Sequence, residues 1–404
     1  MVICYIVADL FTRHIYIYLV IKHPFKTFKG AVLLLLFFSP YISAQNNVAV
    51  TDSIEVAFLP ALSYNTDYGF VVGGLVQKFH YKPDVKPFHS FTQISALVST
   101  NGLATAEIEY DKPNVFSSNK RSINSIYVSR FLQDSYYGIG NYQKIESSFT
   151  SNNELYSFQS FSFGFDSRLR IPLQKRELFS LNLLAVVDFD YITPVDNGQD
   201  RLITQQQPLG IDGGRTLNIG GGLILENRDS EFRPSKGYYL ESSVEISQTW
   251  FGSSYNHLVL QADLRKYISF FLIKDITWAN RFYTKNTSGD VPYWKLAYAG
   301  DEESLRGYPS NRYLDDNVVL FNTELRTWLF EIEAVKGEFG GTIFFDVGRT
   351  YPDGESLNTI FNDLKYSFGF GGTSSFFTPD FVLRADLGFS KEGVGIYFTA
   401  GYMF

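Results

Sequence analysis

Past the N-terminal leader the chain carries three histidines, His80, His89 and His257. None stands in a His-Glu-x-x-His pattern, which would set two imidazoles on one helical face around a zinc ion. Neither Gly-x-Ser-x-Gly nor Gly-x-x-x-x-Gly-Lys-Ser/Thr occurs, so the usual serine-hydrolase and phosphate-loop signals are missing. Gly220-Gly221-Gly222 reads as a close-packed or bent strand rather than a phosphate cradle. The acidic pairs Asp188/Asp190 and Asp196/Asp200 have the charge to hold calcium on an outer loop, and equally the character of solvated loop acids. The single cysteine, Cys4, lies in the leader, which removes thiol nucleophiles, disulfides and Cys-based metal sites from the rest of the chain. A Ser–His pair assembled from separate strands, as in a barrel phospholipase, would leave no local motif. The expectation is a protein without catalysis, metal or cofactor.

The elements that position any site are strands. The chain has 404 residues, 45% hydrophobic, 17% aromatic with 38 Phe and 27 Tyr, and 19% charged. A net charge of −7 argues against a nucleic-acid partner. No apolar run of 18 residues follows residue 45, which excludes membrane-spanning helices there. The hydrophobic period is two. Ile396, Phe398, Ala400, Tyr402 and Phe404 alternate with Gly395, Tyr397, Thr399, Gly401 and Met403; Leu383, Ala385, Leu387 and Phe389 alternate with Arg384, Asp386, Gly388 and Ser390. One face is apolar and aromatic, the other carries charge and glycine. Segments of ten or more such residues predict a transmembrane barrel, lipid-facing outside and polar inside.

Sixteen of these segments occur, near 54–64, 67–81, 88–100, 103–112, 120–132, 155–171, 178–192, 215–227, 237–249, 254–268, 274–285, 318–330, 338–348, 363–375, 380–390 and 395–404. With the N-terminal end in the periplasm, the long connections near 133–154, 193–214, 286–317 and 349–362 all fall on the extracellular side, and the short ones on the other, as this barrel class requires. The expected fold is all-β: one antiparallel barrel of sixteen strands over residues 54–404, preceded by a short periplasmic lead-in at 45–53. Residues 1–44 read as a signal peptide with an N-terminal extension: Lys22, Lys26 and Lys29 precede the eight-residue apolar run Ala31–Phe38, and Ile42-Ser43-Ala44 offers a small residue at a cut site. Cleavage and insertion into an outer membrane of Gram-negative type follow from that reading, with membrane lipid as the barrel's surroundings.

Three local patterns stand out once the strands are placed. Ser304-Leu305-Arg306-Gly307-Tyr308 lies in the sixth outer connection. The turn after the eighth strand reads Asn227-Arg228-Asp229-Ser230-Glu231-Phe232-Arg233-Pro234-Ser235-Lys236-Gly237. The chain closes on Phe398, Tyr402 and Phe404 at alternate positions. Together these resemble the BamA/TamA superfamily of outer-membrane proteins (bacterial surface antigens), whose sixteen-stranded barrel carries a (Val/Leu)-Arg-Gly-(Phe/Tyr) tetrad in its sixth outer loop. The resemblance covers about residues 54–404. It implies that the loop bearing Leu305, Arg306, Gly307 and Tyr308 folds into the lumen, and that Arg306 meets acids on the inner wall. By parity Phe321, Thr323 and Leu325 face outward, leaving Glu324 inside, and Asp346 is inside on the next strand; these are the expected partners. Arg228, Asp229, Pro234 and Gly237 mark the turn, in a structural role. Phe404 is expected either at the lipid interface or as a terminal signal, with Phe398 and Tyr402, read by the host barrel-assembly machinery. The function implied is insertion, assembly or translocation of polypeptide clients, through a weak seam between first and last strands. The chain departs from the best-known members in lacking periplasmic substrate-binding domains, so a separate periplasmic partner is one way to supply them. The alternative function is a small-molecule pore or a surface structural antigen.

Overall fold

The computed structural model describes residues 2–9, 14–21 and 52–404, the last stretch interrupted at 84, 116–117, 143–153, 177, 196–197, 199, 334–336, 357 and 377–381. The chain divides into residues 1–49 and 50–404. In the first unit Val2–Asp9 pairs antiparallel with His14–Ile21. The proposed n-region, apolar run and cut site, from Lys22 to Ala44, lie outside the described residues.

The second unit is a closed antiparallel barrel of sixteen strands. These are β1 (Ser53–Asn65), β2 (Gly69–Lys82), β3 (Val85–Ser99), β4 (Leu103–Val115), β5 (Lys120–Ser135), β6 (Ser157–Arg176), β7 (Phe179–Pro194) and β8 (Gly214–Glu226). The circuit continues through β9 (Gly237–Ser247), β10 (His257–Phe271), β11 (Asp275–Gly289), β12 (Asn317–Ile332), β13 (Gly337–Tyr351), β14 (Lys365–Phe376), β15 (Val382–Phe389) and β16 (Val394–Ala400). No helix among the described residues is long and apolar enough to cross a membrane. Apart from β1 and β16, closure pairs each strand with both neighbours, which is how a sheet survives in hydrocarbon, where backbone groups must find partners; the join of β1 to β16 is the thin one.

The alternation sorts side chains as the period of two dictates. On β12, Phe321 and Leu325 are exposed on the outer wall, while Asn322, Glu324 and Arg326 are buried. Phenylalanine supplies most of the exposed rings, with Tyr110 and Tyr366 among them, while a set of tyrosines turns inward. Exposed rings include Phe163, Phe165, Phe282, Phe321, Phe345, Phe368 and Phe370, whereas Tyr239, Tyr267, Tyr308, Tyr313 and Tyr397 are buried. For Tyr239, Tyr308, Tyr313 and Tyr397 the reason is the phenolic hydroxyl, which needs a hydrogen-bond partner that the polar interior supplies and lipid does not. The Gly220–Gly222 run lies in β8, where a Cβ on Gly222 would sit 1.8 Å from the Ser242 carbonyl oxygen of β9, so close strand packing accounts for it.

Candidate functional site

The sixth outer connection leaves β11 and forms a short antiparallel ribbon, Ala297–Ala299 against Tyr313–Asp315, whose tip spans 300–312. Leu305, Tyr308 and Tyr313 bury against Ala297, Ala299, Val318 and Leu320. Tyr308 meets Tyr313 edge-on with ring centroids 5.5 Å apart, and its hydroxyl donates to the Tyr366 carbonyl at 3.3 Å. Two apolar anchors therefore flank Arg306 and aim it at β12, β13 and β15.

Arg306 is fully buried. Its Nε and Nη2 donate to Asp346 at 2.8 and 2.9 Å, and Nη1 donates to Glu324 at 2.6 Å and to Asp386 at 3.2 Å. The Phe344 ring lies 3.4 Å from the guanidinium carbon. Arg326 donates to Glu324 at 2.7 Å, and Arg384 pairs with Asp386 at 3.1 Å. Three cations, Arg306, Arg326 and Arg384, thus meet three anions, Glu324, Asp346 and Asp386. Charge balance of this kind is what makes burial tolerable, since desolvation offsets much of each attraction. The structure brings together the tetrad and both acids singled out by parity. It adds Asp386, Arg384 and Phe344, which share the same inward parity.

Gly307 follows Arg306 with φ +89°, and a Cβ there would lie 2.9 Å from the Gly388 carbonyl on β15. Its amide donates to the Tyr397 hydroxyl of β16 at 2.8 Å. On the other side of the barrel's closure, Asn65 of β1 donates to Glu302 at 2.8 Å, and the Ser310 amide donates to Asp67 in the β1–β2 turn at 3.1 Å. Burial pushes the Asp67 carboxyl up to about 7; the Ser310 amide opposes that, and the neighbouring Glu302 charge adds to it.

Asn65 and Tyr397 also form the one registered pair between β1 and β16 among the described residues. Thr66 and Ile396 add bonds beside it: the Thr66 amide donates to the Ile396 carbonyl at 3.2 Å, and the Ile396 amide to the Thr66 hydroxyl at 2.8 Å. Below this point β1 continues to Ser53 without β16 as a partner, and Ile54, Val56, Phe58 and Leu62 are strongly exposed.

The C-terminal residues depart from the expectation. β16 ends at Ala400, and Gly401 (φ +83°) turns the chain out of the strand. Phe398 stays exposed on the outer wall, but Phe404 packs against Tyr267 and Ala279 and is 4% exposed. Arg326 donates to the Phe404 main-chain oxygen at 3.0 Å and stacks 4.0 Å from the Tyr402 ring and 4.9 Å from the Phe404 ring. The reading of Phe404 as a lipid-facing ring gives way to this inward platform, where cation–π attraction and burial act together.

The 227–237 turn is built around Asp229, whose carboxylate accepts from the amides of Ser230, Ser235 and Lys236 at 3.1, 2.8 and 3.1 Å. Arg228 donates to Glu226 at 2.7 Å and stacks 4.3 Å from Tyr239. Pro234 is buried, and Gly237 takes φ +104°. Glu231 accepts from Arg121 at 3.1 Å and from Arg170 at 3.4 Å, while Arg233 pairs with Glu338 of β13 and stacks 3.9 Å from Trp328. The turn thereby ties β5 and β6 to β12 and β13.

The remaining candidates resolve differently. Asp188 and Asp190 belong to β7 rather than to a loop, and the Lys295 ammonium pairs with both, at 2.5 Å from Asp188, which takes the place a cation would fill. Asp196 lies outside the described residues. No group of three or more His, Cys, Asp or Glu able to hold a metal occurs among the described residues.

An antiparallel sixteen-stranded barrel with a buried arginine tetrad in its sixth outer loop defines a class of outer-membrane barrel. The Omp85 superfamily domain matches residues 92–404, and the chain belongs to that superfamily. BamA from Haemophilus ducreyi, in a crystal structure lacking POTRA domains 1–3, superposes with a TM-score of 0.58 at 12% identity, covering 99% of this chain and 75% of that one. CdiB from Escherichia coli gives 0.58 at 11% identity over 99% of this chain and 67% of that one. CdiB from Acinetobacter baumannii gives 0.54 at 12% over 87% and 66%. At such identities the likeness is one of fold. Compared by sequence with curated proteins, the chain finds no match.

Proposed function

We propose that this barrel inserts or translocates polypeptide clients at the outer membrane without chemistry of its own. The observation that carries the reading is the seam. Among the described residues a single registered pair, Asn65 with Tyr397, joins β1 to β16, and the sixth loop holds both members of it through Glu302 and Gly307. Below that point the edge of β1 offers backbone donors and acceptors to an incoming strand, the usual currency of strand addition. The loop acts as a latch: closed, it keeps the seam's outer end shut; displaced, it frees both edges. In this reading Arg306, Glu324 and Asp346 set the latch, the 227–237 turn braces the barrel's periplasmic mouth, and residues 1–44 serve as a cleaved export signal ahead of a lead-in at 45–53. Phe398, Tyr402 and Phe404 serve as the assembly signal while the chain is unfolded, before Phe404 reaches its inward site. Clients and a periplasmic partner are the expected associates.

Depleting the protein and comparing outer-membrane proteomes tests the reading. Loss of particular barrels or exported polypeptides is the expected result. Altered solute permeability with every other barrel intact would instead mean a pore. Thr66→Cys with Ile396→Cys, oxidised across the closure, should abolish client insertion and regain it on reduction.

A further inference from the structure

The outer wall across β9 to β12 carries two adjacent rows of very different chemistry. One row, in register across four strands, is Leu240, Leu264, Phe282 and Phe321. The next row, two residues toward the periplasmic turns, is Tyr238, Lys266, Asn280 and Thr323. The whole of the first row, with Tyr238, Lys266 and Asn280 of the second, lines a groove of about 400 Å³. A lysine on a lipid-facing position is costly unless its ammonium reaches a polar phase or an anion.

Lys266 is exposed between Leu264 and Ile268. Its Nζ stands 5.7 Å from the Tyr238 ring centroid. The neighbouring acid Asp263 points to the other face, bound by Arg265 and Arg281, and no ion pair to Lys266 forms among the described residues. Directly opposite, Asn280 has its orientation set by a chain of donation. The Trp278 indole N–H, which only donates, bonds the Thr323 hydroxyl at 2.9 Å; that hydroxyl then donates to Asn280 Oδ1 at 2.9 Å. The Asn280 amide therefore turns its NH₂ away from Thr323, free to donate alongside Lys266.

We propose that this polar row binds the phosphate of an anionic glycerophospholipid in the periplasmic leaflet, with an acyl chain lying along the Leu240–Leu264–Phe282–Phe321 row. The order of the rows matches the lipid: Tyr238 is the second residue of β9, next to the periplasmic turn, and Tyr and Trp side chains at that level form an interfacial girdle. Headgroup donors sit at the interface and the apolar row one step deeper. Charge favours an anionic headgroup over a zwitterionic one, because the ammonium has no protein counter-ion.

The test is native mass spectrometry of the full chain in detergent, titrated with phosphatidylglycerol or phosphatidylcholine. The wild type should retain phosphatidylglycerol in preference. Lys266→Gln should lower its occupancy about fivefold, the loss expected for one lysine near an anionic surface, while Lys266→Arg retains it. Lys78→Gln, on the outer face of β2, should leave occupancy unchanged. Equal binding of the two lipids by the wild type, or a Lys78→Gln loss as large as that of Lys266→Gln, would overturn the assignment. So would unaltered occupancy in a Lys266→Gln protein whose heat-modifiable mobility shows it folded.

Discussion

The wall formed by β12 and β13 and the seam formed by β1 and β16 are made of the same alternating strands, yet they close the barrel by different means. β12 and β13 pair from Asn317 opposite Tyr351 to Ile332 opposite Gly337. The seam has Asn65 opposite Tyr397. On the wall the backbone ladder carries the join, and Arg306 adds a buried ion cluster beside it. At the seam the ladder is nearly absent and side chains from the sixth loop substitute for it. The contrast teaches that this barrel's weakest join is guarded from a fully laddered wall, because the tip that docks on β12 and β13 also touches both seam strands. Loop and seam are then one mechanical unit, and perturbing either should register in the other.

The largest effect is expected from Arg306→Ala. It leaves Glu324, Asp346 and Asp386 facing only Arg326 and Arg384, three anions against two cations. Breaking a buried pair in this way costs roughly 3–5 kcal/mol. The tip should detach, so protease cleavage within 290–316 and single-channel conductance should both rise, and the seam should loosen with them. Conductance and cleavage equal to wild type would separate the wall from the latch.

A smaller effect is expected from Gly307→Ala. The position combines φ +89° with a backbone carbonyl 2.9 Å from where a Cβ would stand. Strain of about 1–3 kcal/mol should push the tip off β15 and lengthen the Gly307–Tyr397 bond. The check is the temperature at which heat-modifiable mobility is lost in detergent: a lower temperature is expected, whereas an unchanged one would mean the tip moves without disturbing the seam.

Most of the wall was legible in the sequence and most of the latch was not. Period-two alternation is a local signal repeated along each strand, so all sixteen appear close to their expected bounds: 237–249 was expected where β9 runs Gly237–Ser247. Parity also places Glu324 and Asp346 on the inner wall, and the same parity applies to Asp386 on β15. The end of β16 escaped because Tyr402 and Phe404 keep the apolar alternation. What turns them inward is the Arg326 platform on a distant strand. The Asn65–Glu302 contact spans 237 positions in the chain, and no residue near either end announces it. Composition likewise does not reveal where a tyrosine hydroxyl finds its partner.

The most delicate handle on the comparison is Asp67, which joins the β1–β2 turn to the loop through the Ser310 amide. Burial raises its carboxyl to about 7, well above the ordinary carboxylate range. An acid whose pKa is raised in the docked state holds its proton more tightly there than when undocked, so docking weakens wherever the undocked form alone has ionised. Docking should be tightest at and below about pH 4, weaken between 4 and 7, and level off above about 7. Asp67→Asn keeps the side chain neutral at every pH and should make the profile shallower. A nitroxide on Ser310→Cys, in a chain with Cys4→Ser, reads the contact through its mobility between pH 5 and 8. The mobile fraction should grow with pH when Asp67 is present and grow less in Asp67→Asn, where Glu302, whose carboxyl burial also raises, still titrates. The change should remain local, because Arg306, Glu302 and Gly307 keep their own anchors and hold the rest of the tip against both wall and seam. A flat profile in both proteins would show that the hairpin contact carries no share of the latch, leaving Asn65 as its sole tie to β1.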